Sequence, residues 1–544
     1  MGRVRFSRSP RARLAQLVVA GVVASAGVLA FGAGSAFANG SYACTGVAAI
    51  DTPGLQGDIN TGGTVTVFGP KPCVGNWTVP VSVTIVGGSP GATLNGNATG
   101  SVLTTAATVT LTVRNLKITN GAAADGAGVF DNFCGSVVNL QNALVTGNTA
   151  SDFGGGVYEP CGTLNATAST ISNNSAGDEG GGIYVDGCGA SINVTNSTVS
   201  SNTAAFDGGG MMVFCSDVTL TGATVTLNTS TGSAGGGMEL AEGSTLDSTA
   251  STVSRNQALG GNGGGIYLDF SDGLLTNTKV SANTASDHGG GIENIGSLES
   301  LLRPQTRAAA AATSLDGGRA AVRAPRGASA VGKASPLVVP PGLTLVSSSV
   351  DHNTVTGFAC GDSPVCDGAG GGIRSYTDCD GTASTTLTNS SVSFNRALGT
   401  EFDTDSGGGG VSQYAGSCSD DLATLTATGS SLIGNLARPS VGGGIFNVSF
   451  DGTALVTLAS TSVASGPPYL NPNQAEFGGG IFNWDTNSNV TLQSGGNVVH
   501  NLATVDGGGV FNDCDATLNI NPGAFIALNM PDQVVDNLGP CLLD

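Results

Sequence analysis

At 544 residues with a formal net charge of −20 and only 19 basic side chains, the chain excludes the broad cationic face that nucleic acid or an anionic bilayer requires. Its 87 glycines and 5% aromatics depart from an ordinary globular balance, yet valine, isoleucine, leucine and threonine stay too plentiful for disorder. A turn-rich all-β repeat accommodates both facts.

Residues 1–38 read as a secretory signal peptide. Arg3, Arg5, Arg8, Arg11 and Arg13 precede an apolar run from Leu14 to Phe31, and Ala36-Phe37-Ala38 supplies the small residues of a cleavage site before Asn39. No adjacent arginine pair marks a twin-arginine route. The leader carries five basic residues and no acid, so without it the formal charge moves from −20 to −25. No later segment approaches the roughly 18 consecutive apolar residues of a membrane span. The expected product is secreted or extracellular, including retention at the cell surface, with no transmembrane segment in the mature chain.

From residue 39 onward a β solenoid is predicted. A glycine triplet precedes Val157, Ile183, Met211, Met238, Ile266 and Ile292, then Ile373, Val411, Ile445, Ile481 and Val510; a degenerate Gly126-Ala127-Gly128 precedes Val129. Successive marks from 129 to 292 are 26 to 28 residues apart, and after an interruption the intervals are 38, 34, 36 and 29. Near-constant spacing with occasional lengthening marks a solenoid whose insertions lie in loops. Within "GGGIYVDGCGASINVTNSTVSSN", Ile183 and Val185, Ile192 and Val194, and Val199 alternate with polar residues in short pieces separated by glycine and asparagine. That is the period of strands. The fold class is all-β, a right-handed parallel β-helix with three short strands per coil of about 27 residues. No helical periodicity of useful length competes after residue 38.

A second motif keeps step with the first: Val145-x-x-Asn148, Ile171-x-x-Asn174, Val199-x-x-Asn202, Val225-x-x-Asn228, Val253-x-x-Asn256 and Val280-x-x-Asn283, continued at Asn353, Asn395, Asn435 and Asn501. Asparagine tolerates the left-handed turn conformation, and stacked asparagines bond through their side-chain amides. Glycine-glycine-x-hydrophobic paired with hydrophobic-x-x-asparagine resembles the polymorphic outer-membrane-protein repeats, within the pectin-lyase-like β-helix superfamily. The resemblance covers roughly 121–512 and implies fold more than activity. Strands such as Thr64–Val67, Val81–Ile85 and Thr108–Leu111 extend it toward the amino end. The β-helix is expected over 39–544, with 301–342 a basic, alanine-, proline- and glycine-rich flexible insertion. Arg303, Arg307, Arg319, Arg323, Arg326 and Lys333 face a single acid there, Asp316.

The twelve cysteines of an exported chain suggest disulfides. Residues one coil apart in a parallel stack lie about 4.8 Å from each other, inside the Cα range of a disulfide. The coil period therefore pairs Cys44-Cys73, Cys134-Cys161, Cys188-Cys215, Cys379-Cys418 and Cys514-Cys541, and Cys360-Cys366 are near neighbours in sequence. Cys161-Cys188 is the rival pairing. No paired C-x-x-C or nearby histidine supports zinc, so neither a metal nor a cofactor is expected.

The residue after each register mark should, by alternation, face solvent and form one column. Phe130, Tyr158, Tyr184 and Tyr267 in it are the ligand-binding candidates, since aromatic rings with polar neighbours suit sugars. Stacking of these rings on one another over glycine-rich turns is the plainer alternative. Glu239 and Glu293 stand two coils apart, about 9.6 Å, just past the carboxylate spacing of inverting glycosidases. With Asp269 and Arg374 they are the catalytic candidates if the chain is an enzyme, while a Glu293–Arg374 ion pair is the structural alternative. His288, His352 and His500 form no constellation. Thr170-x-Ser172, Thr198-x-Ser200, Thr224-x-Thr226 and Thr252-x-Ser254 resemble the hydroxyl arrays of ice-binding solenoids until Lys279 breaks the series. The leading expectation is a non-catalytic extracellular scaffold that is adhesive or binds glycan, matrix or cell-surface components. A polysaccharide hydrolase or lyase is the alternative, and ice binding a remote one.

Overall fold

The computed structural model describes residues 39–88, 91–296, 342–357, 368–377, 381–398, 407–465, 471–513 and 515–537. The expected signal peptide 1–38, the expected insertion 301–342 and the pairings Cys360-Cys366, Cys379-Cys418 and Cys514-Cys541 fall wholly or partly outside the described residues. From residue 39 the chain is a right-handed parallel β-helix whose four sheets, of 16, 15, 15 and 12 strands among the described residues, are wholly parallel. Each sheet lies strand on equivalent strand, one coil apart.

The coil from Ile183 shows how the sequence builds this. Ile183–Asp186 lies in a 15-stranded sheet, Ser191–Thr195 in the 16-stranded sheet, and Thr198–Ser200 in the other 15-stranded sheet. A fourth strand of two residues, Thr203–Ala204, follows before the next glycine triplet. Ile183, Val185, Ile192, Val194 and Val199 point inward and are completely buried. Their counterparts pack directly above and below, so the repeat creates one continuous apolar core.

The asparagine motif carries the interior polar contacts. Twelve asparagines, from Asn148 to Asn529, join in a ladder in which each Nδ2 donates to the next Oδ1 at 2.9 to 3.1 Å. Asn202 Nδ2 also donates to the Ile171 carbonyl, and its main-chain N–H to Asn228 Oδ1, both at 3.0 Å. Every amide inside the ladder is thus satisfied in the absence of water. Asn473 and Asn529 belong to it although their motifs are broken or late. The left-handed residue of this corner is not the asparagine itself but the one before it: Ser201, Leu227, Arg255 and Ala282 have φ of 54° to 59°.

The glycines follow from the ladder. A Cβ on Gly182 would lie 2.5 Å from the Gly210 carbonyl and 2.9 Å from Asn202 Nδ2, so the third glycine is the seat of the stacked amides. Gly180, at φ 65°, folds the chain back so closely that a Cβ would stand 2.7 Å from that of Tyr184. Glycine and asparagine recur together because each occupies space the other leaves. A second ladder, unread from the sequence, runs through hydroxyls: Ala143 N–H donates to Ser169 Oγ, Ser169 N–H to Ser197 Oγ, and Ser348 N–H to Ser390 Oγ.

The expectation of no helix is corrected at the amino end. Ala48–Thr61 is an α-helix, hidden in the sequence by Pro53, Gly54 and Gly57, which lower propensity. Asp51, Leu55 and Ile59 recur every four residues and form its buried face. Burial alone would raise the Asp51 carboxyl, but N–H groups of Thr45, Val74 and Gly46 hold it below its ordinary value. Disulfides join Cys44 to Cys73, Cys134 to Cys161 and Cys188 to Cys215 at Cα separations of 4.5, 4.6 and 4.5 Å, which excludes the rival Cys161-Cys188 pairing.

Asn228→Ala leaves buried donors of the coil before it without an acceptor, at about 1–3 kcal/mol for each group. Urea unfolding should show a loss of about 3 kcal/mol or more, whereas Thr226→Ala on the outer face stays within about 0.5 kcal/mol. Gly210→Ala places a Cβ 2.4 Å from a main-chain carbonyl, and its soluble yield should collapse.

Candidate functional site: a roofed column and the faces beside it

The column expected to face solvent does leave the core side of its sheet, but it is roofed. Relative exposure is 4% for Tyr184, 3% for Glu239, 2% for Tyr267, 0% for Glu293 and 5% for Arg374. The segment before each glycine triplet supplies the cover. Phe153 stacks on Tyr184 at 4.6 Å between centroids, and Gly180 donates its N–H to the Asp207 carbonyl, which aligns one cover with the next. Alternation in the strand was legible; the fold-back at the first glycine, which turns an outer face into a second interior, was not.

The four ligand-binding candidates therefore divide. Phe130 and Tyr158 are half-buried and touch at 5.2 Å, and Tyr158 meets Tyr184 at 5.5 Å. Rings one coil apart pack on one another, as in the plainer alternative. Tyr267 stands apart from them, between Glu239 and Glu293 in register.

The catalytic candidates also divide. Glu293 and Arg374 form a buried ion pair at 3.1 Å, and the guanidinium lies 4.4 Å from the Tyr376 ring centroid. Burial pushes the Glu293 carboxyl up to about 7 in spite of Arg374. His288 belongs to the roof, where burial and then the Arg374 charge hold it well below its usual range. Glu239 lies two strands from Glu293, and Asp269 is half-buried at the end of the strand that carries Tyr267. Two carboxyls two strands apart thus lie in one column, and both are buried.

Sequence reasoning missed two features of this sheet. Glu179, on the roof, has its carboxyl raised to about 8 by burial and by the charges of Asp207, Asp178 and Asp186. In the later coils the interior turns polar: Asn447 donates to Asn483 at 2.8 Å, Asn483 to Asn512 at 3.1 Å, and Asn512 to Asp536 at 2.8 Å. The signal was present as "GGGIFN", "GGGIFN" and "GGGVFN", where Phe446, Phe482 and Phe511 also stack outward at 5.9 and 5.4 Å.

The outer side chains of the other two long sheets are partly exposed. Thr195, Thr221, Thr249 and Thr276 occupy equivalent positions on four successive coils, as do Thr198, Thr224 and Thr252 beside them. Lys279, 53% exposed, ends the second column.

Residues 164–302 match the family model described as right handed beta helix region. No curated protein and no solved structure matches the chain. The fold is thereby supported twice, by a family model and by coordinates. No helix among the described residues is long and apolar enough to cross a membrane.

Arg374→Met strands a buried carboxyl and should cost about 3–5 kcal/mol in urea unfolding. Glu293→Gln combined with Arg374→Met should recover most of that loss, a coupling that a double-mutant cycle measures directly.

Proposed function

We propose that this chain is an exported β-helix scaffold that binds extracellular polysaccharide or matrix on its outer faces and catalyses no reaction there. The observation that carries the reading is the pair of threonine columns, repeated at coil spacing on partly exposed sheet faces. A lattice of hydroxyls about 4.8 Å apart, each able to donate and accept, matches a polymer whose own hydroxyls recur along a chain. The half-buried Phe130 and Tyr158 add an aromatic edge at the amino end of the roofed column. The leader expected over residues 1–38, three disulfides among the described residues and a strongly acidic composition suit life outside the cell. The resemblance to polymorphic outer-membrane-protein repeats is consistent with cell-surface display. The exposed Lys279 interrupts the flat hydroxyl array and disfavours ice as the ligand.

A glycan array should detect binding to neutral or acidic polysaccharide without turnover. Thr224→Leu with Thr252→Leu should weaken that binding at least ~10-fold, about 1.4 kcal/mol, with an unchanged melting temperature. Cleavage of any bound polymer that disappears in Glu239→Gln or Glu293→Gln would overturn the non-catalytic reading.

A further inference from the structure

Following the core side of the roofed sheet, rather than its outer side, leads to a different anomaly. The position two residues beyond the first strand residue of each coil is Val185, Val213, Leu240 and Leu268 on four successive coils, all with no exposure. In the two coils before them the same position holds Glu159 and Asp131, also with no exposure. Two carboxyls thus stand one strand apart in the core, next to four successive aliphatic positions of the same column.

Each carboxyl spends one oxygen on its own turn, and that of Asp131 also accepts from the coil before. Asp131 Oδ1 accepts from Thr105 Oγ1 at 2.5 Å and from the Phe133 N–H at 3.2 Å. Glu159 Oε1 accepts from the Gly162 N–H at 2.6 Å. The remaining oxygens, Asp131 Oδ2 and Glu159 Oε2, are buried and receive no N–H or O–H from the protein. Register sets the two carboxyls side by side on adjacent strands, both facing the core. Two anions in that position would repel across a medium that screens poorly. A contact between two carboxyls is attractive only when one of them carries a proton.

We propose that Asp131 and Glu159 hold a single shared proton at neutral pH, making a pH-sensitive clasp between the turns 131–136 and 159–163. Glu159 donates and Asp131 accepts. The Cys134–Cys161 disulfide ties the same two turns covalently, so the proton closes on the inside what the disulfide closes on the outside. The group whose charge acts on Glu159 is Asp131; main-chain N–H groups of Gly162 and Cys161 oppose it, and the Tyr158 phenol on the other side of the strand responds to the Glu159 charge. Burial, then Asp131, raises the Glu159 carboxyl to about 8.

A carboxyl with its folded value raised stabilises the closed turns fully below the ordinary carboxyl range. That contribution is lost as pH climbs toward 8. Above pH 8 the Glu159 carboxyl has lost that proton, and these turns should open before the rest of the stack.

Amide hydrogen exchange of Phe133 and Gly162 in the full exported chain tests this between pH 5 and 9. After correction for base catalysis, the opening equilibrium of these two amides should rise by up to ~10-fold per pH unit below pH 8 and then level off. In Glu159→Gln, whose amide donates to Asp131 at every pH, the rise should vanish while exchange of ladder amides such as Asn228 stays the same. Asp131→Asn is the second variant and should flatten the profile likewise. A protonated-carboxyl infrared band at pH 7, absent from Glu159→Gln, is the direct signature. A profile in the wild-type chain as flat as in both variants, or no such band, would overturn the proposal. So would protection at pH 7 that rises with 2 mM calcium in the wild type and not in Glu159→Gln, because a cation would then hold the two oxygens.

Discussion

The bond from one asparagine amide to the next is the constraint around which each coil is arranged. It is short, fully buried and reciprocal: the oxygen that accepts from the side chain of one coil also accepts from its main chain. A lateral shift of a coil breaks two bonds at once, so the ladder fixes register where apolar packing alone would tolerate slippage. The glycine triplet is subordinate to it, since the space that the amides fill is the space a side chain would need. Strand lengths, corner conformations and the positions of Cys134, Cys161, Cys188 and Cys215 one coil apart all follow from a stack kept in exact step.

That same economy produces the inversion at the outer column. Folding back at the first glycine brings Phe153, Glu179 and Asp207 over a face that strand alternation directs outward. The helix therefore has two interiors, one on the core side of the sheet and the other, beneath the roof, on its outer side. Ionisable groups in the second interior pair, as Glu293 and Arg374 do, or lose their charge, as the Glu179 carboxyl is driven to do. What remains open to the surroundings is the plainer part of the surface, the hydroxyl columns.

The legible features were those with a period. The coil, the core positions Ile183, Val185, Ile192, Val194 and Val199, and the asparagine ladder are all local in sequence and repeat often enough to average away noise. Three kinds of feature escaped. The α-helix of residues 48–61 occurs once and carries proline and glycine against its pattern of Asp51, Leu55 and Ile59. The serine ladder sits at positions where serine also reads as an ordinary corner residue. The roof depends on the path of a loop between two strands, which alternation does not encode; hence Tyr184, Tyr267, Glu239 and Glu293 were expected in solvent and lie beneath it. Asp131 and Glu159 share the register of Val185 and Val213, a position that had first to be recognised as core.

The corner residue before each ladder asparagine carries a further consequence. Serine, leucine, arginine, alanine, histidine and phenylalanine all occupy it in the left-handed conformation, at positions 201, 227, 255, 282, 352 and 394. Left alone, such residues resist that conformation by roughly 1–2 kcal/mol each. Here the amides on either side dictate the turn, and the cost is borne whatever the side chain. The corner is in effect indifferent to its occupant: a continuous seam on the surface where chemistry can change from coil to coil without disturbing the frame, and where new recognition can be written with little effect on folding.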